Sequence, residues 1–105
     1  MNLGPTDRPH VDWRALFGAG ERLFVPAGRL LFRAGERPRV AVVTAGVLRV
    51  FIPTTPRQQL TLRYARADDL VGIAPLLSGT RMWSAEAVSD ATVEAFSADD
   101  VRALA

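Results

Sequence analysis

Apolar residues recur along this chain in short runs, each closed by a turn former. RLFVP, RLLFR, RVAVVTAG, VLRVFI and LTLRYA are rich in β-branched or aromatic residues. Between them stand Pro26-Ala27-Gly28, Ala34-Gly35-Glu36, Ala45-Gly46 and Pro53-Thr54-Thr55-Pro56. Runs of this composition between such breaks read as strands joined by tight turns. Alternation assigns their faces: Leu60, Leu62 and Tyr64 on one side with Thr61 and Arg63 on the other, and Leu48, Val50 and Ile52 opposing Arg49. SAEAV and TVEAF add two further strands near the C-terminal end.

Helical patterning is confined to short pieces. In VDWRALFG, Trp13, Leu16 and Phe17 fall at i, i+3 and i+4, which predicts a short helix ending near Gly18 with its aromatics packed under the core. SADDVRALA predicts a terminal helix. Ser97 caps it, Asp99 and Asp100 complement the positive end of its dipole, and Val101 and Leu104 form its apolar edge. No long helix separates the strands, so the pattern predicts a mainly β protein, an antiparallel sandwich or barrel with short flanking helices. Residues 1–18 read as a loose polar tail and the first helix, and residues 19–105 as one barrel domain.

Composition narrows the function classes. At 105 residues, 49% hydrophobic and 23% charged, the chain suits one soluble domain with a modest core. Its pI of 10.4 accompanies a net charge of only +2. All the basic side chains are arginine, which stays protonated to high pH. These arginines are scattered among acids rather than gathered in a stripe, the pattern of a solvated surface and not of a nucleic-acid binder. The chain has no cysteine, which excludes disulfides, thiolate metal sites and cysteine nucleophiles. The lone histidine, His10, lies in the tail and cannot build a histidine metal site. Asp68–Asp69 and Asp99–Asp100 are sequence neighbours, so neither pair faces across a cleft as an acid–base couple. Catalysis and a bound metal are therefore not expected. Asp68 and Asp69 are expected instead to shape the turn before Leu70, where aspartate tolerates the left-handed region. No apolar run is long enough to span a bilayer and no signal core is present, which points to the cytoplasm.

The segment GIAPLLSGTR, residues 72–81, places a glycine before a short apolar helix-like run and an arginine after it. Free amides at a helix start and a forked guanidinium are both anion binders. Taken in order, VPAGRLLFRAGE, TAGVLRVF, DDLVGIAPLLSGTR and SAEAVSDATVEAF resemble the cyclic-nucleotide-binding domain of the bacterial Crp/Fnr transcription regulators, over about residues 21–104. The resemblance implies an antiparallel jelly-roll barrel (a double-stranded β-helix) with short helices, and turn glycines at Gly28, Gly35 and Gly46. It places the family's phosphate-binding cassette at residues 72–83. There a glycine and a glutamate precede the helix, an arginine and a small polar residue close the pocket, and the glutamate takes the ribose hydroxyl.

Carried across, Gly72 and Arg81 keep the glycine and the arginine. Ile73 stands in the glutamate position, Met82 in the small polar position and Trp83 where alanine is usual. The cassette is also one residue shorter than the family's. The ligand or anion candidates are thus Gly72, Ile73, Ala74, Arg81, Met82 and Trp83. Arg81 has the alternative reading of a surface or salt-bridging arginine. Trp83 has three: filling the pocket, stacking on a flat ligand, or packing on the core or rim. Pro75 is compatible with a first helical turn. Loss of a hydrogen bond to a carboxylate predicts a roughly ten- to hundredfold weaker hold on a ribose.

Two functions follow. The first is a ligand-sensing regulatory domain whose effector is a small anionic or nucleotide-like molecule other than cyclic AMP or cyclic GMP. The second is a domain that binds no small molecule and serves protein association, with Met82 and Trp83 plugging the pocket. The dimer helix and winged helix-turn-helix of the family lie C-terminal to its barrel, so this chain alone is expected not to recognise DNA. It is expected to be either a monomer or a weak barrel-to-barrel dimer.

Overall fold

The computed structural model describes residues 13–97, 99 and 101. A short helix, α1 (Trp13–Phe17), precedes five strands: β1 (Glu21–Val25), β2 (Leu30–Phe32), β3 (Val40–Ala45), β4 (Leu48–Thr55) and β5 (Gln58–Ala65). After them come β6 (Leu70–Val71), the second helix α2 (Ile73–Ser78), β7 (Ser84–Ala87) and β8 (Ala91–Phe96). The strands form two four-stranded sheets, ordered β1-β8-β3-β6 and β2-β7-β4-β5, and every pairing is antiparallel. Consecutive strands alternate between sheets at several connections, which is the antiparallel barrel expected from the turn spacing, in the jelly-roll form that the family resemblance implies. The Asp99 and Val101 backbones are helical, and the Val101 amide donates to the Ser97 carbonyl at 3.1 Å. The rest of the expected terminal helix, Leu104 included, lies outside the described residues, as do the tail with His10 and the Trp13 side chain.

Period-two alternation divides the apolar residues between two cores. Inside the barrel, Ala41 and Val43 of β3 and Val93 of β8 meet Leu48 and Val50 of β4 and Ala85 and Ala87 of β7. The alternate positions of the first sheet face outward. Val40 and Phe96 join Phe17, Leu76 and Val101 in a second cluster beneath the helices. Phe17 meets Phe96 edge to face, ring centroids 5.3 Å apart. The expected packing of the first helix is thus realised by Phe17, whereas Leu16 is exposed.

Two expectations about β4 and β5 are corrected. Pro53-Thr54-Thr55-Pro56 was expected to form the turn, but β4 continues to Thr55 and the turn is made at Pro56 and Arg57. Pro53 is tolerated because β7 pairs β4 only as far as Phe51, leaving the far half of β4 as an edge where a missing N–H breaks no ladder. Leu60, Leu62 and Tyr64 also do not share one face. The register shifts beside Leu62, so that Tyr64 opposes Arg49 while Leu60 opposes Ile52. An extra residue in one strand reverses the alternation beyond it. Arg49 consequently lies outward with Thr61, Gln59 and Glu86 as hydrogen-bond partners, its guanidinium 4.3 Å from the centre of the Phe51 ring.

Candidate ligand-binding site

The segment that resembles a phosphate-binding cassette leaves the barrel at the end of β6. Gly72 has φ +84° and caps α2 from the left-handed region. A Cβ there would also collide with the carbonyl oxygen of Arg39 and come within 2.7 Å of its carbonyl carbon. Glycine is therefore required twice, by conformation and by the close approach of another backbone. Gly79, with φ +78°, ends the helix in the same conformation. The first intrahelical bond runs from the Leu76 amide to the Gly72 carbonyl at 3.1 Å. Pro75 precedes it, in the first turn, where its missing N–H would have had no helical acceptor.

What orients α2 is its apolar face. Leu76 is fully buried in the outer cluster, Pro75 is buried beside it, and Ile73 packs against the same cluster. Ile73 and Leu76 are three apart, so they lie on one face of the helix. Ile73, which the resemblance sets in the glutamate position, is thus a packing residue that ties the helix to the outside of the barrel. Ala74 and Leu77 are exposed.

The segment after Gly79 is stitched to the β2–β3 turn. The Gly35 amide donates to the Arg81 carbonyl at 2.6 Å, and the Ala34 amide donates to Oγ of Ser84, a buried serine, at 2.7 Å. Arg81 itself is exposed. It lines a small cleft of about 60 Å³ together with Arg37, Pro38, Leu76 and Thr80. Gly72, Ile73 and Ala74 do not line that cleft, so it joins Arg81 to the C-terminal part of α2, whose dipole end favours a cation. Met82 is exposed. Trp83 is half-buried and packs against the barrel core, the core-packing reading among the three given above.

The turn before the cassette follows expectation. Asp68 has φ +76°, its amide donating to the Val43 carbonyl at 2.8 Å. A carboxylate oxygen of Asp69 accepts the Arg66 amide at 2.8 Å. Sequence reasoning missed Arg37 and Arg39, which meet the cassette from the β2–β3 connection. Their only signal was position, just before the strand that pairs with β6. Among the described residues, no three His, Cys, Asp or Glu side chains gather to hold a metal ion, and no helix is long and apolar enough to cross a membrane.

Comparison with known proteins agrees with this architecture. The family model for the cyclic nucleotide-binding domain matches residues 22–105. No curated protein matches in sequence. Among solved structures, the catabolite activator protein of Thermus thermophilus is 27% identical, covering 97% of this chain and 46% of its own, with a TM-score of 0.73. The sensor domain of the transcriptional regulator DNR from Pseudomonas aeruginosa is 19% identical, with 85% of this chain and 61% of that one covered and a TM-score of 0.73. The N-terminal domain of a Streptomyces coelicolor A3(2) transcriptional regulator is 20% identical, with 88% and 67% covered and a TM-score of 0.72. The chain therefore spans about half to two thirds of these three structures. On the match over residues 22–105, it belongs to the cyclic nucleotide-binding domain family.

Proposed function

We propose that this is the ligand-sensing domain of a Crp/Fnr-type transcription regulator, and that its effector is not cyclic AMP or cyclic GMP. The observation that carries the second half is Ile73. The resemblance puts a ribose-gripping carboxylate there, and in this chain the side chain packs against the outer cluster. An apolar group offers a sugar hydroxyl no acceptor, and a polar ligand group left unpaired in a pocket loses its hydration without return. The regulatory part of the reading is supported by the likeness to the Thermus catabolite activator protein and to the two regulator domains. The domain would act by binding, in the cytoplasm, without catalysis and without reading DNA itself. Its effector would be small and anionic or nucleotide-like.

A second reading has its own observation. Strand β5 lies at the edge of its sheet and exposes Leu60, Leu62 and Tyr64, at 54%, 39% and 50%. An exposed apolar edge strand suits a protein partner. Thermal denaturation with a panel of nucleotides and small anions separates the two. A ligand that binds only the folded state raises the melting temperature with its concentration. A dose-dependent rise with a panel member other than the two cyclic nucleotides supports sensing, and a flat response throughout supports protein association.

A further inference from the structure

Strands β1 and β2 are the outer edges of different sheets, joined by the turn at Pro26–Gly28, so their free edges do not hydrogen-bond to each other. They bound a cleft of about 240 Å³ to which Arg39 contributes from the β2–β3 connection. Its floor is apolar. Val25 and Leu31 belong to the barrel core, Leu23 packs on that core, and Leu30 is half-buried. Phe24 stands at its side, 63% exposed, a large ring that would gain by being covered. Two exposed guanidinium groups, Arg29 and Arg39, complete the lining, and no acidic residue takes part. Among the described residues, neither side chain makes an ion pair.

We propose that this cleft binds a small amphipathic carboxylate: an organic acid with an aliphatic or aromatic body, its carboxylate held by Arg29 and Arg39 and its body laid over Leu23, Phe24 and Leu30. Guanidinium and carboxylate match as a two-point fork, and partial removal from water strengthens the pair. The apolar side chains beside the two arginines give an amphipathic acid a contact that a bare inorganic anion cannot use. The volume, just below the roughly 300–1,000 Å³ of pockets for drug-sized ligands, suits a small organic acid. The site is distinct from the cassette, and its ligand does not depend on what the cassette binds. It is nevertheless in touch with it, because the Arg39 carbonyl is the group packed against Gly72 at the start of α2.

The test is an amide-resolved NMR titration with sodium octanoate to roughly 5 mM, where a millimolar site is well occupied. Octanol and inorganic phosphate serve as controls for the body and the charge alone. The expected result is saturable shifts at Leu23–Val25, Leu30–Leu31 and Arg39, weakened about ten- to a hundredfold in R29Q/R39Q. Both arginines are exposed, so that variant should keep the wild-type spectrum elsewhere and the wild-type melting curve. Three results would each overturn the proposal: no saturable shift, equal affinity for octanol or phosphate, or shifts confined to residues 72–83 with the β1 and β2 edges silent.

Discussion

Replacing Gly72 with alanine tests whether the cassette is anchored by the close approach of two backbones. Two costs add at this position. An L-residue held at φ +84° loses about 1–2 kcal/mol in the left-handed region. The new Cβ would also overlap the Arg39 carbonyl oxygen and lie 3.3 Å from Val40 Cα. Those are main-chain atoms, Val40 paired with Phe96 of β8 and Arg39 its chain neighbour, so they cannot swing aside as a side chain would, and overpacking of this kind costs about 1–3 kcal/mol. The sum is about 2–5 kcal/mol, a large part of the roughly 5–15 kcal/mol expected for a domain of this length. Gly28 supplies the control. Its φ is also +84°, but an added Cβ there meets nothing within 4 Å, so Gly28→Ala should show the conformational cost alone. Urea unfolding followed by tryptophan fluorescence measures both, provided the slope against denaturant is unchanged. Gly72→Ala should exceed Gly28→Ala by about 1–3 kcal/mol. Equal losses, or a smaller loss at Gly72, would refute the steric half of the argument.

Ile73→Glu restores the residue the resemblance calls for, yet it should not restore a ribose grip, since it places a carboxylate against the outer cluster. The expected outcome is a loss of about 1–3 kcal/mol, read from the melting curve, with no gain in cyclic-nucleotide affinity by calorimetry. A stable variant that binds either nucleotide tightly would show that position 73 faces the pocket. Arg49 and Glu86 join neighbouring strands, 3.2 Å apart with side chains 19% and 31% exposed. A double-mutant cycle with Arg49→Ala and Glu86→Ala should give a coupling of about 0.5–1 kcal/mol that weakens in high salt. Zero coupling at low salt would mean that the pair is incidental to pairing β4 with β7.

Most of the architecture was legible because strand logic is local. A half-buried strand writes its two faces in alternate residues, and turns with positive φ select glycine, as at Gly28, or aspartate, as at Asp68. The turn at Pro56–Arg57 was misplaced because the permissibility of Pro53 depends on where β7 stops pairing, which is a tertiary fact. The faces of β5 were misassigned for a similar reason: the register shift at Leu62 is set by the partner strand and leaves no local mark. At the site, the resemblance set Ile73 where the family has a carboxylate. Its consequence was not. Whether Ile73 lines a pocket or joins a core depends on the rotation of a six-residue helix, which Pro75 and Leu76 determine by their burial. Arg37 and Arg39 escaped notice because nothing about an isolated arginine marks it as facing a segment more than thirty residues away.

Isothermal titration of the purified domain with cyclic AMP and with cyclic GMP tests the central claim most directly, since the Ile73 side chain either deprives the cassette of its sugar contact or does not. The account predicts no binding tighter than micromolar for either nucleotide. A sub-micromolar dissociation constant for either one would contradict it.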